Sequence, residues 1–312
     1  MNKQTIIPFC FIALLLTFCV SFNSCGSDED GVYNPKQQIS KIYEDDSFSG
    51  HPKVLTQVWT WDKDKLNKID YYFRNNIIDD TYRYFYEKNR LVKIKQEKNG
   101  AGYILISYDG SKFKEIKSYN EFDEHWLTMN FVYDKNKISK ITMELAMENS
   151  KQTDREKVLA SFLPKDLASK MVVEVEKNRT KNDSDIQFSI NYTYTKDNVK
   201  EMLIDIDYGT EGHETLTANY VSYDTKQNPF YKKIETGLYG DIMFHQVFGY
   251  SIVSSKNNPL EIRYKHGSID LLTYKFTYTY DNKGFPTEIL LAVYNENLAD
   301  DPRTNKTYYE YK

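Results

Sequence analysis

Over most of the chain, apolar and polar side chains alternate with a period of two. Phe188, Ile190, Tyr192 and Tyr194 hold one set of alternate positions, with Ser189, Asn191, Thr193 and Thr195 between them. Met202, Ile204, Ile206 and Tyr208 do the same against Asp205 and Asp207, and Phe276, Tyr278 and Tyr280 against Lys275, Thr277 and Thr279. Because successive side chains of a strand point to opposite faces, this pattern predicts antiparallel strands with one apolar and one wet face.

The strands recur as a unit: aromatic, any residue, aromatic, acid, a short Lys/Asn/Gly turn, an apolar residue, then a charge followed by Ile. The unit appears as Trp59-Thr60-Trp61-Asp62 with Leu66 and Lys68-Ile69, and as Tyr84-Phe85-Tyr86-Glu87 with Leu91 and Lys93-Ile94. It continues at Tyr108-Asp109, Tyr133-Asp134, Tyr194-Thr195, Tyr223-Asp224 and Tyr280-Asp281. The acids at 62, 87, 109 and 134 set a period of 22–25 residues, the mark of an array of supersecondary units. Each unit predicts strand, tight turn, strand, with the acid accepting a backbone hydrogen bond and the following Asn or Gly taking φ > 0. After Tyr223-Asp224, the second strand is expected at Phe230 to Ile234, with an eroded copy around Asn257-Asn258-Pro259.

The first apolar residue and the Ile lie three apart in the early units, on opposite faces of a straight strand. Either the first belongs to the turn or a bulge resets the register. Roughly 16–18 strands fit at ordinary strand lengths, too many for an open sheet to stay flat. The expected fold is therefore all-β: a large curved antiparallel β-meander or partly closed barrel over residues 39–312, with one short helical insertion. That insertion is read at Asp154 to Met171, where Asp154 caps a Val158, Leu159 and Phe162 stripe and Pro164 opens a further turn.

The first 24 residues carry a different signal. Lys3 precedes an apolar run from Ile6 to Val20, shorter than the ~20 residues a spanning helix needs, so residues 1–24 read as a secretory leader. Ser24-Cys25 then matches a lipobox, with Cys25 as the acylated first residue of the mature chain. Ser27, Asp28, Glu29 and Asp30 form a small-then-acidic run of the kind that exports lipoproteins to the surface, within a polar tether of residues 25–38. All three cysteines fall within the first 25 residues, which excludes a disulfide framework in the body.

Composition narrows the function classes. The chain has 27 tyrosines and 17 phenylalanines, residues that favour strands. A net charge of −4 and a pI near 5.8 exclude the basic face of a nucleic-acid binder. The five histidines do not fall at metal-ligand spacing on one element, and neither a Gly-x-Ser-x-Gly elbow nor a glycine-rich phosphate loop is present. No enzyme and no cofactor are expected. The best acidic constellation is Asp205, Asp207, Glu211 and His213, a candidate divalent-cation site. Trp59, Trp61 and Trp126 are candidate ligand-binding rings, able to stack on sugars.

Tyr223-Asp224-Thr225-Lys226-Gln227-Asn228-Pro229-Phe230 and Tyr278-Thr279-Tyr280-Asp281-Asn282-Lys283-Gly284-Phe285-Pro286, together with the lipobox and acidic run, resemble a family of Bacteroidetes lipoproteins of unknown function. The resemblance implies a porin-like β-fold and no catalytic residues. The charges that alternate with the apolar face, and the ending Tyr309-Glu310-Tyr311-Lys312, argue against a bilayer-spanning pore. The sequence thus predicts a non-enzymatic, lipid-anchored outer-membrane protein, at the cell surface or on the periplasmic face. It would present a β-sheet binding or scaffolding surface to a glycan or an envelope protein. A glycan-binding surface lipoprotein is the alternative, and a cation-dependent hydrolase the third reading.

Overall fold

A sheet with one apolar face must cover that face, and a long meander does so by rolling until its first and last strands meet. The computed structural model describes residues 37–46, 51–73, 77–98, 102–145, 186–207, 213–231, 254–294 and 302–312. Its strands are β1 (Ile39–Asp46), β2 (His51–Asp62), β3 (Lys65–Phe73), β4 (Ile77–Glu87), β5 (Arg90–Gln96), β6 (Tyr103–Asp109), β7 (Lys112–Tyr119) and β8 (His125–Asp134). The second half holds β9 (Lys137–Leu145), β10 (Ile186–Thr195), β11 (Asn198–Asp207), β12 (His213–Gln227), β13 (Asn257–His266), β14 (Ile269–Tyr280), β15 (Pro286–Tyr294) and β16 (Arg303–Tyr311). Every strand pairs antiparallel with its sequence neighbours, and β1 pairs with β16, closing a barrel. The ring is complete where the sequence left the choice between a curved sheet and partial closure. The expected helical insertion at 154–171 lies outside the described residues, as do residues 1–36.

The apolar face turns inward. Ile42, Ile69, Ile94, Ile116, Ile141 and Ile262 have no exposed surface, and burying such a side chain contributes about 1.5–3 kcal/mol. Sixteen strands rolled into a round cylinder enclose an aqueous channel. Side chains with no exposure on successive hairpins show that the inner face here is packed rather than lined by water.

The three-residue spacing is resolved by a bulge repeated around one end of the ring. Trp61 faces Leu66 and Thr60 faces Lys68, so Asn67 is the extra residue. Val92, Lys114, Ser139 and Lys200 are extra in the same way in the next four hairpins. The bulge lets both Leu66 and Ile69 point inward, each fully buried.

At the bulges the carbonyl of the first apolar residue accepts a side-chain donor from the next hairpin. Tyr86 donates to Leu66 O at 3.0 Å, Tyr108 to Leu91 O at 2.6 Å, and Tyr194 to Ile138 O at 2.7 Å. Tyr223 donates to Val199 O at 2.6 Å, Tyr278 to Pro259 O at 2.8 Å, and Tyr311 to Pro286 O at 2.7 Å. Trp61 Nε1 plays the part at the seam, donating to Ile39 O at 2.7 Å. The second aromatic of the repeating unit is thus commonly a lock between consecutive hairpins.

Two turn details differ from the expectation. Asn89 and Gly284 take positive φ as expected, at 67° and 86°, but in four hairpins a lysine directly after the acid or threonine is left-handed as well: Lys63, Lys88, Lys135 and Lys196 have φ of 55°, 47°, 56° and 56°. Gly110 takes the same place in a fifth, at φ 59°. A residue with a Cβ costs about 1–2 kcal/mol there. In addition, Tyr223 faces Pro259 rather than a strand at Phe230 to Ile234. The chain leaves the sheet because Asn228 Oδ1 accepts the Phe230 amide at 2.9 Å, while the Asn228 amide donates to Lys256 O at 2.8 Å. Phe230 is buried at the end of the ring, and Asn257-Asn258-Pro259 begins the true partner strand.

Candidate functional site

The outward positions of the strands are polar through the middle of the wall. Lys41 and Glu310 form an ion pair across the β1–β16 seam at 3.5 Å, and Lys306 meets Glu288 at 2.9 Å across β15–β16. Lys117 meets Glu115 at 3.3 Å, and Lys265 meets Asp270 at 3.0 Å. Exposed pairs of this kind each contribute about 0–1 kcal/mol. They place charge on the outer face from near the turn end, at Lys41–Glu310, through Lys117–Glu115 to the opposite rim, at Lys265–Asp270.

The inner face is apolar toward the turn end and gains polar groups toward the other. Asp80, on the inner row with Tyr82 and Tyr84, accepts the Thr81 amide at 2.7 Å, the Lys98 amide at 3.2 Å and the Gln96 side-chain amide. Gln57 Oε1 accepts from Trp59 Nε1 at 3.0 Å. These groups are buried and hydrogen-bonded, the condition under which polar groups enter an interior at moderate cost.

That arrangement settles the tryptophans. Trp59 and Trp61 sit on the inner face at 2% and 8% exposure, with ring centroids 6.1 Å apart and both indole nitrogens engaged. Their rings offer no face to a sugar, so the sugar-stacking role expected of them is corrected to core packing and a seam lock. Trp126 is the extra residue of a bulge between β7 and β8 and packs half-buried against the core.

Asp205 and Asp207 share the outer face of β11, as their spacing implies. Asp205 Oδ2 accepts from Asn191 at 3.1 Å and Ser189 at 3.4 Å, and its Oδ1 accepts from Thr215 at 3.1 Å with His213 Nε2 3.6 Å away. Protein donors from β10 and β12 therefore already hold the carboxylate. Among the described residues, no three His, Cys, Asp or Glu side chains are grouped to hold a metal ion. Glu211, Cys25 and the run Ser27, Asp28, Glu29 and Asp30 lie outside the described residues.

A cluster missed by the sequence reading lies on the outer face of β5–β8. Tyr103 and Tyr119 stack with centroids 4.9 Å apart and planes 12° from parallel, and His125 meets the Tyr119 ring edge-on at 5.5 Å. Lys93 Nζ lies 4.1 Å from the Tyr103 centroid. Leu105 and Phe85, which flank Lys93 in the strand pairing, are exposed on the same face. Burial and the nearby Asp123 carboxylate push the Tyr103 phenol above its ordinary pKa. Alternation could have found the cluster: Ile104 and Ile106 point inward, so Tyr103 must point outward. Such a strip offers aromatic surface and a cation for stacking and cation–π contact.

At the turn end, Asp224 accepts from Tyr280, from Asn258 Nδ2 at 3.0 Å and from the Asn258 and Lys226 amides at 3.0 and 3.1 Å. Burial, then the Asp224 charge, raises the Tyr280 phenol pKa. Burial likewise raises the lock residues Tyr194, Tyr223, Tyr278 and Tyr311, and Tyr264 deeper in the wall. At Asp281 burial works against ionisation, but the Phe285 amide, the Gln37 side chain and the Lys283 and Gly284 amides outweigh it and hold the carboxyl below its usual value. These groups organise turns and strand locks.

No known protein family and no curated protein matches the sequence. Solved structures do resemble the fold. A porin-like protein from Bacteroides uniformis superposes with a TM-score of 0.51 at 14% identity, over 91% of this chain and 100% of that one. A porin-like protein from Bacteroides vulgatus gives 0.50 at 12% identity, over 89% and 99%. The likeness extends to the barrel architecture as a whole.

Proposed function

We propose that this chain is a lipid-anchored, non-enzymatic protein of the bacterial envelope, whose closed barrel serves as a water-facing scaffold or binding surface. The polarity of the wall carries the reading: its inner face is apolar, and its outer face carries charges beside scattered exposed apolar residues such as Phe85, Leu105, Val132 and Val221. A barrel that crosses lipid needs an outward apolar band ~25 Å tall, and each Lys or Arg at its midplane costs about 2–4 kcal/mol. Here Lys68, Arg83, Lys93 and Lys117 lie on the outer rows of four strands, β3, β4, β5 and β7. A barrel of this polarity stays in water and needs a separate attachment. The lipobox at Ser24-Cys25 supplies one, and the acidic run at Ser27–Asp30 supports display on the cell surface. The likeness to two Bacteroides porin-like proteins supports an envelope setting.

The test is twofold. Radiolabelled palmitate should enter the protein in a bacterial host and vanish with Cys25→Ala, and the purified barrel should give no discrete conductance in planar bilayers. Label retained by the variant, or stepwise ion currents, would overturn the reading.

The outer strip of Tyr103, Tyr119, Lys93 and His125 favours a second reading, in which the wall binds glycans through exposed aromatic surface. Calorimetry with soluble oligosaccharides should then show binding that disappears in a Tyr103→Ala/Tyr119→Ala variant. Unchanged binding in that variant would remove the strip from consideration.

A further inference from the structure

Among the described residues the two rims of the barrel differ in charge, and Gln37 and Gln38 lie at the basic one. At the turn end, Lys63, Lys88, Lys135 and Lys196 stand exposed at four hairpin tips. All four have left-handed backbone, a conformation that Gly110 adopts without strain in the equivalent turn. Strain retained at several equivalent positions points to a gain from the side chain itself, and the only chemistry these side chains share is a cation on a long stem. The turns are held to one another. Lys112 donates to the Lys135 carbonyl, Lys137 to the Lys196 carbonyl, and Lys65 Nζ to Asn89 Oδ1 at 2.7 Å. Among the described residues the eight acids of this rim, Asp109, Asp224 and Asp281 included, are outnumbered by twelve cations once Lys65, Arg90, Lys112 and Lys137 are counted with Lys226, Lys256, Lys283, Lys312 and the four tips. Among the described residues the opposite rim is acidic, with Asp45, Asp79, Glu97, Asp123, Asp207 and Asp270 set against Lys53, Lys98, Lys265 and Arg303.

The N-terminal segment enters the ring within the basic rim. Gln38 Nε2 donates to the Lys63 carbonyl at 2.7 Å, and Gln37 Nε2 to Asp281 Oδ2 at 3.0 Å. Eleven residues lie between Cys25 and Gln37, and the twelve Cα steps reach about 40 Å at full extension. A ten-residue strand spans about 33 Å, so the tether is little longer than the wall is tall.

We propose that the lysine-tipped rim docks on an anionic lipid surface, phosphate headgroups meeting Lys63, Lys88, Lys135 and Lys196, so that the barrel stands on its turn end with the acidic rim outward. The proposal rests on the lipid-anchor reading for its place in the envelope. The rim chemistry is measured without the lipid.

All sixteen strands lie between residues 39 and 311, so the chain from residue 26 onward, with no cysteine to acylate, holds the whole ring. It should float with vesicles of phosphatidylglycerol and phosphatidylcholine, not with phosphatidylcholine alone, and added salt should release it. The variant Lys63→Gly/Lys88→Gly/Lys135→Gly/Lys196→Gly should lose at least about tenfold in vesicle partition while its melting temperature holds or rises, because glycine relieves the backbone. Equal flotation of variant and parent, equal binding to neutral vesicles, or binding to a soluble anionic polysaccharide in place of vesicles would each overturn the proposal. Failure of the palmitate experiment with flotation intact would remove the anchor and leave the rim chemistry standing.

Discussion

The phenol of Tyr311, on the last strand, donates to the carbonyl of Pro286 at 2.7 Å. It does for the final hairpin what Tyr86 does for the first, and Trp61 carries the same kind of link onto β1. The links run from seven of the eight even-numbered strands, β2, β4, β6, β10, β12, β14 and β16, to their odd-numbered predecessors, so the ring is tied at its turn end by side chains as well as by the ladder.

Removing one lock at a time should expose its worth. Tyr86→Phe, Tyr223→Phe and Tyr311→Phe each keep the ring and delete the donor, leaving a carbonyl short of a partner. Each should lose about 1–3 kcal/mol in urea titration, whereas Tyr72→Phe on the outer face should lose under about 0.5 kcal/mol.

The bulge residue matters by its presence and not by its side chain. Asn67→Ala should lie within about 0.5 kcal/mol of the parent. Deleting Asn67 straightens the strand, and either Leu66 or Ile69 must then face water. Loss of two-state unfolding or of soluble expression is expected for the deletion. A deletion mutant as stable as Asn67→Ala would contradict the assigned register.

Trp61→Phe should be destabilising beyond its loss of volume, because the seam loses the indole donor to Ile39 O. About 1–3 kcal/mol is expected in chemical denaturation. The double variant Trp59→Ala/Trp61→Ala should fail to fold rather than fail to bind.

Alkaline pH should unfold the barrel. Tyr194, Tyr223, Tyr264, Tyr278 and Tyr311 have folded pKa values raised above the usual 10.0, chiefly by burial. A raised pKa means the folded state keeps its proton where the unfolded state releases it. Stability is therefore level below about pH 10 and falls as pH climbs beyond it. Tyrosinate absorbance should rise in two stages, exposed phenols first and the buried set together with the loss of near-UV circular dichroism. A single smooth titration with the fold intact would contradict the burial.

Much of this architecture was legible because hairpins are local. The Trp-x-Trp-Asp and Tyr-x-Tyr-Asp units, their alternation and their acid-to-acid spacing located the strand pairs, and the Leu66–Ile69 spacing raised the bulge. The pairing of Tyr223 with Pro259 was not legible, because Phe230-Tyr231-Lys232-Lys233-Ile234 imitates a returning strand and only the Asn228 contacts with Phe230 and Lys256 reveal the exit. Closure was beyond reach for a related reason: β1 and β16 meet without any turn between them. For the site, the same aromatic richness worked both ways. Trp59 and Trp61 read as surface rings although their alternation with Thr60 puts them inside, whereas Tyr103 and Tyr119 face outward because Ile104 and Ser118 take the inner side.

The seam between β16 and β1 has the register of a hairpin, with Ile39 opposite Tyr311 and Ser40 as the extra residue, and the Lys312 amide donates to Gln38 O at 2.8 Å where a turn would sit. The molecule is thus a circle of eight equivalent staves cut at one of them. Splicing Lys312 to Gln38 and cutting between Asn136 and Lys137 would rebuild the same cask from a new starting point. Where the gene begins then decides only which stave holds the leash.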